Sequence, residues 1–353
     1  MKASIFLILT CVFTLSLPAQ TQLTGTIEGA KYSIAMPEEP IGKVLLLAHG
    51  YRPENLGLKA DAGASHNLYT DLVEEGWIVA SSSYRHNGWI MEDAAQDMIN
   101  LHELVTAATH GDPGDVYLMG NSMGGGVSTL LAEIAGDRFK GALATGAYLF
   151  EPIQSETHRS TTIGSHFSLQ PQIPVLYLTN TSELEGPETY ISKTASAPIQ
   201  PVLWKVHRDG HVNLNEAELR AGLMAVIEWA ETGKIEKDKD ATIILNPPST
   251  AKFSGDSAEG TPVHLVEVYG NAISSFVRAD MEKLGIQLGD TFQLTAEGQT
   301  VNVLLGSNYN DVPVGEWVSF WDADGYLLIC RNYRNAVDSL GLNKDSKITI
   351  SKK

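Results

Sequence analysis

Cysteine is scarce in this sequence, and no pair of cysteines has the spacing of a metal or redox site. The chain holds two, Cys11 and Cys330, and contains neither a CxxC nor an HExxH motif. Cys11 lies in an N-terminal apolar segment, so removal of that segment would leave Cys330 without an internal disulfide partner. Cys330 ends the apolar run 327–330 (LLIC), where a small buried hydrophobic side chain is expected. The sequence therefore gives no support for a disulfide framework or a metal site.

Basic residues are also few. Lys and Arg number 25 against 42 Asp and Glu, which gives a formal net charge of −17. Such an acidic chain is a poor partner for a nucleic-acid backbone or an anionic membrane surface, and we expect neither. Low-complexity tracts and short-period repeats are missing, and 43% hydrophobic and 19% charged residues indicate a globular protein. A length of 353 residues indicates two domains.

Long hydrophobic runs are missing except at the N-terminus. Residues 5–17 are almost unbroken apolar, Lys2 precedes them, and residues 18–20 (PAQ) supply small residues at the exit. This pattern predicts a signal peptide over 1–20 that is cleaved near 19–21, and it favours cleavage over a membrane span or a lipoprotein anchor at Cys11. We therefore expect the mature protein to be secreted or periplasmic.

Apolar runs of strand length alternate with stretches of helical period over 23–232. This alternation predicts an α/β domain, a mostly parallel sheet covered by helices. Helices are expected at 93–108 and 215–232, where apolar residues recur on one face. The predicted strands are 43–49, 77–83, 115–120, 141–145, 174–180 and 201–207.

The character of the sequence changes after residue 232. A charged stretch without apolar period, 233–240, is followed by the break at 246–249 (NPPS), and we place a linker at 233–250. In the remaining part, 251–353, short β-type runs return with turn signals about every ten residues. This part is predicted to be a smaller β-rich domain, a barrel or a sandwich.

Residues 120–124 (GNSMG) follow a predicted strand and precede an apolar helical stretch. In this setting a GxSxG pattern is typical of a nucleophile elbow, a sharp turn that exposes a serine. Glycines two residues before and after the serine have no Cβ to collide with neighbouring chain. A glycine-rich turn that binds phosphate or only reverses the chain is the alternative, and the setting favours Ser122 as a nucleophile.

A carboxylate and a histidine base are expected after the nucleophile, because α/β enzymes with this elbow order their triad as Ser, acid, His. His211 lies in 208–213 (RDGHVN), a loop between the last predicted strand and the last helix, from which its ring can reach the serine. His207, the rival, belongs to the strand itself. Glu183 occupies the acid position after strand 174–180. The alternatives for the acid are Glu185, Glu188 and Asp209.

The oxyanion of an acyl-transfer intermediate needs backbone N–H donors. Met123, directly after the nucleophile, is expected to supply one. The second should come from the loop after strand 43–49, where the Tyr51 N–H is our choice. His49, at the end of that strand, is expected to have a structural role.

Together, the elbow, the segment 46–51 (LLAHGY) and the histidine loop resemble the α/β-hydrolase superfamily, in its esterase, lipase and prolyl-oligopeptidase-like branches. The resemblance implies a serine hydrolase that needs no cofactor and acts on a small-molecule or polymeric carboxylic ester. A peptidase of the prolyl-oligopeptidase-like type is the alternative enzyme. Segment 81–89 (SSSYRHNGW) also resembles a segment that borders the cleft in bacterial secreted hydrolases, and Tyr84 and Trp89 are as well suited to packing as to substrate contact.

A second resemblance covers about 260–350. It rests on 268–274 (VYGNAIS), 312–316 (VPVGE), 325–336 (GYLLICRNYRNA) and 340–342 (LGL). These segments look like the C-terminal β-domain of the S-adenosylmethionine hydrolase (hydroxide adenosyltransferase) and fluorinase family. In that family the matching segments border a nucleoside site. The resemblance therefore implies Asn271, Arg331 and Asn332 as the candidate nucleoside-binding residues of this chain.

Two departures separate this chain from that family. The family's N-terminal domain, which completes the nucleoside site across a subunit boundary, is absent. Residues 323–324 (AD) stand where some members place Ser-Arg to hold the methionine carboxylate, and an acid there would repel that group. A spacer, a trimerising role that would form a homo-oligomer, or a surface-docking role is therefore favoured over nucleoside binding. The hypothesis from another class is a catalytically inactive hydrolase fold with a nucleoside-binding C-terminal domain, and the intact Ser122 and His211 argue against it.

Overall fold

The computed structural model describes residues 20–60, 67–152, 160–266 and 270–353. The predicted signal peptide lies outside the described residues except for its last position. The N-terminal domain is an eight-stranded sheet. Its strands are β1 (Thr21–Ile27), β2 (Ala30–Met36), β3 (Lys43–Ala48), β4 (Ile78–Ser82), β5 (Asp115–Asn121), β6 (Gly141–Thr145), β7 (Val175–Asn180) and β8 (Val202–Val206).

The strands lie in the order β1-β2-β4-β3-β5-β6-β7-β8. Strand β2 runs antiparallel to β1 and β4, whereas β3 to β8 run parallel to one another. All six predicted strands are present to within one residue at either end. The prediction of an α/β domain with a mostly parallel sheet is confirmed.

Helices cover both faces of this sheet, because alternate side chains of each strand point to opposite sides. On β3, Val44 and Leu46 pack in the same core as three of the helices, whereas Leu45 and Leu47 pack in the core on the other face. Burial on both faces explains why these parallel strands read as continuous apolar runs. The helices are α1 (Asn67–Glu74) and α5 (Glu216–Thr232) on the Leu45 face, and α2 (Met91–Ala108), α3 (Met123–Ile134) and α4 (Glu185–Lys193) on the Val44 face.

The antiparallel hairpin β1–β2 was not predicted from the sequence. Its strands pair over their full length, from Thr21 with Met36 to Ile27 with Ala30. Strand β1 is exposed at five of its seven positions and half-buried at the other two, so it carries no apolar alternation. A strand without a buried face leaves no periodic signal for a sequence pattern to reveal.

The C-terminal domain is a single curved sheet of nine strands in the order β11-β12-β16-β15-β14-β13-β17-β10-β9. Strands β10 and β11 are separated by Thr261 alone, yet β10 pairs with β17 and β11 with β12 at the other end of the sheet. The bent segment they form therefore closes the sheet on itself, as predicted for a small barrel. The elements are β9 (Lys252–Ser254), β10 (Ser257–Gly260), β11 (Pro262–Val266), β12 (Asn271–Val277), α6 (Arg278–Lys283), β13 (Thr291–Ala296), β14 (Gln299–Leu305), β15 (Trp317–Trp321), β16 (Tyr326–Arg331), α7 (Ala336–Leu340) and β17 (Ile348–Lys352).

The segment between the domains runs along the edge strand β8. Lys205 N–H donates to Lys239 O at 3.0 Å, and Ala241 N–H donates to Lys205 O at 2.8 Å. His207 N–H donates to Thr242 Oγ1 at 2.8 Å. The connection to the C-terminal domain is thereby attached to the strand that leads into the histidine loop.

Candidate active site

Ser122 lies at the turn between β5 and α3 in a strained backbone conformation, with φ 55° and ψ −122°. Its N–H donates to Thr145 O at 2.9 Å, and its carbonyl oxygen accepts from Tyr148 N–H at 3.0 Å. The same carbonyl accepts from Gly125 N–H at 3.0 Å. Such a conformation persists only where the surroundings fix it, and here both backbone groups of the serine are held.

Glycine is required on both sides of the elbow for steric reasons. A Cβ on Gly120 would lie 2.1 Å from Gly124 O, and a Cβ on Gly124 would lie 2.0 Å from Ala48 O. These contacts are with backbone atoms, which cannot move aside as a flexible side chain would. The glycines thus allow the start of α3 to approach the carboxyl ends of β3 and β5.

The structure brings Ser122, His211 and Glu183 together. His211 Nε2 lies 2.9 Å from Ser122 Oγ, and His211 Nδ1 is hydrogen-bonded to Glu183 Oε1. The second carboxylate oxygen of Glu183 accepts from Val212 N–H at 3.2 Å. Because Nδ1 faces a carboxylate, the neutral ring carries its proton there, and the Nε2 lone pair faces the serine hydroxyl.

Two of the three rival acids and the rival histidine are engaged elsewhere. Glu188 pairs with Lys205 at 2.9 Å, and Asp209 Oδ1 accepts from the Thr181 hydroxyl at 3.3 Å. His207 faces Asp240 at 4.0 Å on the exposed side of β8. Glu183 reaches the histidine because it ends the 3₁₀ turn Thr181–Glu183 directly after β7.

Both predicted oxyanion donors belong to backbone that lies against the nucleophile. Met123 is the first residue of α3, where an N–H has no partner within the helix. A Cβ on Gly50 would lie 3.1 Å from Ser122 Cβ, so the chain that leads into Tyr51 passes directly beside the serine. Backbone from two different segments, one for each predicted donor, therefore lies next to Ser122.

His49 is held by backbone carbonyls and does not face the serine hydroxyl. Its Nδ1 lies 2.6 Å from Gly50 O, and its Nε2 lies 3.0 Å from Ser83 O. The Tyr84 ring stacks on the imidazole with centroids 4.0 Å apart, and its hydroxyl donates to His49 O at 3.1 Å. Burial raises the pKa of Tyr84, which therefore stays protonated. His49 and Tyr84 thus brace the loop that carries Tyr51.

The backbone of Tyr148 contacts the nucleophile, since its N–H donates to Ser122 O at 3.0 Å. The Trp89 ring meets the Tyr148 ring edge to face, with centroids 4.7 Å apart, and residue Tyr51 is 48% exposed. The His211 side chain is itself 56% exposed.

Several residues that hold the histidine loop were not predicted from the sequence. Asn180 Nδ2 donates to Asn213 O at 2.9 Å, and Asn213 N–H donates back to Asn180 Oδ1 at 2.8 Å. Asn215 and Glu218 form a capping box at the start of α5. The spacing Asn-x-x-Glu before an apolar helix is a readable signal for that box.

The nucleoside-site candidates of the C-terminal domain use their donors internally. Asn271 Nδ2 donates to Tyr309 at 2.7 Å, and Asn332 Nδ2 donates to a backbone carbonyl at 2.8 Å. Arg331 donates to Gly315 O at 3.0 Å through Nε and to Ser339 at 2.7 Å through Nη1. These side chains therefore brace the barrel.

A cavity of about 750 Å³ lies at the opposite end of the N-terminal domain. It is lined by Gly114, Lys140 and Pro174, which directly precede strands β5, β6 and β7. Ser122 follows the far end of β5, so this cavity is separate from the triad.

Within the described ranges, no helix has the length and apolar character needed to cross a membrane. The same ranges contain no group of three His, Cys, Asp or Glu side chains suited to a metal ion.

Comparison with known proteins gives one family match, and no curated protein matches the chain. Residues 262–349 match the S-adenosylmethionine hydroxide adenosyltransferase C-terminal domain. An uncharacterized conserved protein from Thermotoga maritima is 17% identical, with a TM-score of 0.28 over 36% of this chain and 49% of its own. The chain therefore spans about half the length of that protein.

Two further solved structures are hydrolases by their names. A sugar hydrolase from Lactococcus lactis is 11% identical, with a TM-score of 0.47 over 60% of this chain and 98% of its own. A dienelactone hydrolase from Anabaena variabilis is 14% identical, with a TM-score of 0.45 over 61% of this chain and 99% of its own. At these TM-scores the likenesses carry no argument about activity. The fold of the N-terminal domain follows instead from the order of its strands and from the elbow at Ser122. Residues 262–349 match the hydroxide adenosyltransferase C-terminal domain, and the preceding domain has the α/β-hydrolase fold.

Proposed function

We propose that this protein is a serine hydrolase that cleaves carboxylic esters, with Ser122 as nucleophile, His211 as general base and Glu183 as the acid that orients the base. One observation carries the proposal. Polar contacts run without a gap from Glu183 through both ring nitrogens of His211 to Ser122 Oγ. The strained backbone of the serine, typical of a nucleophile elbow, supports the same assignment.

In the acylation step, Ser122 Oγ forms a bond to the carbonyl carbon of the ester while His211 Nε2 accepts the hydroxyl proton. The oxyanion that forms is stabilised by the N–H groups of Met123 and Tyr51, and one such donor contributes about 10²-fold or more in rate. The imidazolium then gives its proton to the alcohol as the bond between that oxygen and the acyl carbon breaks. Glu183 stabilises the charged ring throughout.

Deacylation repeats these roles with water. His211 takes a proton from a water molecule as its oxygen attacks the acyl carbon, and the same proton returns to Ser122 Oγ when the acyl bond breaks. The released product is the carboxylic acid, and the enzyme returns to its initial state. The reaction as written needs no cofactor. The exposure of the His211 side chain is compatible with both small-molecule and polymeric esters.

A fluorophosphonate probe tests the serine mechanism. We expect the probe to label the mature protein at Ser122 and to leave the Ser122→Ala variant unlabelled. Ser128→Ala is the matched control, because Ser128 lies on α3 directly after the elbow but is fully buried. An unlabelled wild-type protein, or equal labelling of the Ser122→Ala variant, would contradict the proposal.

We further propose that the protein acts after export, because an apolar segment with a small-residue exit precedes the described domains. N-terminal sequencing of protein recovered from the periplasm or the medium is expected to start near residues 19–21. Protein that still begins at Met1 in those fractions would count against a cleaved signal peptide.

A further inference from the structure

The loop that carries His211 contacts the C-terminal domain on one side. Asn215 Nδ2, at the end of the loop, donates to Ala323 O at 3.2 Å. Asn213 Nδ2 approaches Trp321 O at 3.4 Å. Both acceptors are backbone carbonyls at the turn that joins β15 to β16. The contacts are therefore made to a fixed part of the barrel.

A third contact comes from a different loop of the C-terminal domain. Asn308 Nδ2 donates to Asp209 Oδ2 at 3.4 Å, two residues before His211. The Asn308 Oδ1 atom accepts from Asn310 N–H at 2.8 Å, which fixes the orientation of the amide. Asn308 therefore presents a donor to the histidine loop from a side chain that is itself anchored.

The histidine loop is strained and needs such restraint. Val212 has a φ of 51°, in the left-handed region, where a β-branched residue is a genuine outlier. Strain of this kind persists only where the surroundings fix it. Because Val212 directly follows His211, relaxation at this residue would turn the imidazole away from Ser122.

The base of the loop is joined to the interdomain segment through a buried ion pair. Arg208 binds Glu218 through both guanidinium ends at 2.9 Å, and the Glu218 side chain is fully buried. Glu218 Oε1 also accepts from Ile243 N–H at 2.8 Å, and Asn215 Nδ2 donates to Ile243 O at 2.7 Å. The histidine loop, helix α5 and the interdomain segment are thus joined by one network of hydrogen bonds.

We infer that the C-terminal domain positions His211 for proton transfer. Asn308 is the positioning residue that holds the histidine loop from outside the hydrolase domain, and Asn215 ties the end of the loop to Ala323 O of the C-terminal domain. The inference rests on the proposed function. A displacement of about 1 Å in a catalytic group can lower a rate about 10²-fold, so restraint of this loop has kinetic consequences. The C-terminal domain then contributes to catalysis by holding the loop that carries His211.

Two substitutions at Asn308 test the inference. Asn308→Asp retains the oxygen that caps the turn but sets a carboxylate against Asp209. Asn308→Ser replaces the amide donor with a shorter hydroxyl and adds no charge, so any loss of rate in this variant reflects the position of the loop rather than an added charge. Asn343→Asp is the matched control, because Asn343 Oδ1 caps its own turn at Asp345 N–H in the same way, at 3.0 Å, and is exposed.

The rate of fluorophosphonate labelling, kcat and KM for p-nitrophenyl acetate, and hydrogen exchange of a peptide spanning 208–215 are measured in the full-length mature protein. We expect Asn308→Asp to lower the labelling rate and kcat about tenfold or more with little change in KM, and to speed exchange of the loop. Asn308→Ser should follow in the same direction, and Asn343→Asp should match wild type.

Unchanged exchange and unchanged kcat in both Asn308 variants would overturn the inference. A lowered melting temperature without any change in kcat would do the same, because it would reduce the contact to a stabilising one. Hydrogen exchange does not depend on catalysis. A wild-type protein that fails to react with the probe would therefore overturn the proposed function. In that case, faster exchange of the loop in Asn308→Asp would still support restraint of the loop by the C-terminal domain.

Discussion

The carboxylate of Glu183 has two partners in the histidine loop, the ring of His211 and the N–H of Val212. It therefore fixes both the ring tautomer and the loop backbone. Glu185 and Glu188 follow within five residues but belong to the first turn of α4. The sequence left these carboxylates as alternatives. The backbone after β7 distinguishes them, because it places Glu183 in the 3₁₀ turn and the other two on α4.

Glu183→Gln tests this assignment. The amide nearly matches the carboxylate in size but cannot stabilise the imidazolium, and it can present a donor to Nδ1, which would favour the wrong tautomer. We expect kcat for ester hydrolysis to fall by about 10²- to 10⁴-fold with KM little changed. Glu185→Gln, on the neighbouring helix, is the control and should retain activity. Comparable losses in the two variants would remove Glu183 from the triad.

At the scale of elements, the elbow depends on close approach between α3 and the ends of β3 and β5. Gly124→Ala would place a Cβ 2.0 Å from Ala48 O. Because that oxygen belongs to a core strand, the helix must shift, and we expect a loss of about 1–3 kcal/mol in the free energy of unfolding together with loss of labelling at Ser122.

The control for Gly124→Ala is Gly57→Ala, since a Cβ on Gly57 would meet nothing within 4 Å. Urea unfolding of the two variants beside wild type provides the measurement. A Gly124→Ala variant with wild-type stability and reactivity would show that the elbow tolerates a wider spacing than its geometry indicates.

The elements also show where sequence patterns succeed. The six predicted strands are buried on both faces, so each is a short apolar run that stands out from its surroundings. Strand β1 is exposed along its length and gives no such signal. The elbow was predictable because GxSxG between a strand and a helix carries a steric requirement that the sequence displays directly.

The histidine loop shows where sequence patterns fail. Its contacts with the C-terminal domain use the carbonyls of Trp321 and Ala323, and backbone acceptors leave no trace in residue identity. The sequence predicted His211 from its place between β8 and α5. It could not predict that a second domain, more than 90 residues further along the chain at Asn308, restrains the same loop.

At the scale of the whole molecule, the turn at residues 322–325 lies where the barrel meets the hydrolase domain. Burial raises the pKa of Asp322 to about 6, and the neighbouring Asp324 acts in the same direction. Ionisation of Asp322 is therefore less favourable in the folded protein than in the unfolded chain. Its protonated form favours folding, so this group makes the protein less stable as pH rises from about 4 to about 6.

Asp322→Asn should remove that dependence. We expect the variant to exceed wild type at pH 7 by about 1–3 kcal/mol in the free energy of unfolding, and the difference to vanish below about pH 4. Urea unfolding at several pH values measures it, with the exposed Asp345→Asn as control. A difference between Asp322→Asn and wild type that does not change with pH would contradict the raised pKa. Oligomerisation through the C-terminal domain stays a prediction.

The most direct test of the central claim is hydrolysis of p-nitrophenyl esters, from acetate to decanoate, by the mature protein beside its Ser122→Ala and Ser128→Ala variants. The account predicts turnover by wild type and Ser128→Ala and loss of about 10³-fold or more in Ser122→Ala, and the preferred chain length would size the acyl site. Equal rates in wild type and Ser122→Ala, or no turnover of any ester by a folded wild-type protein, would contradict a serine esterase.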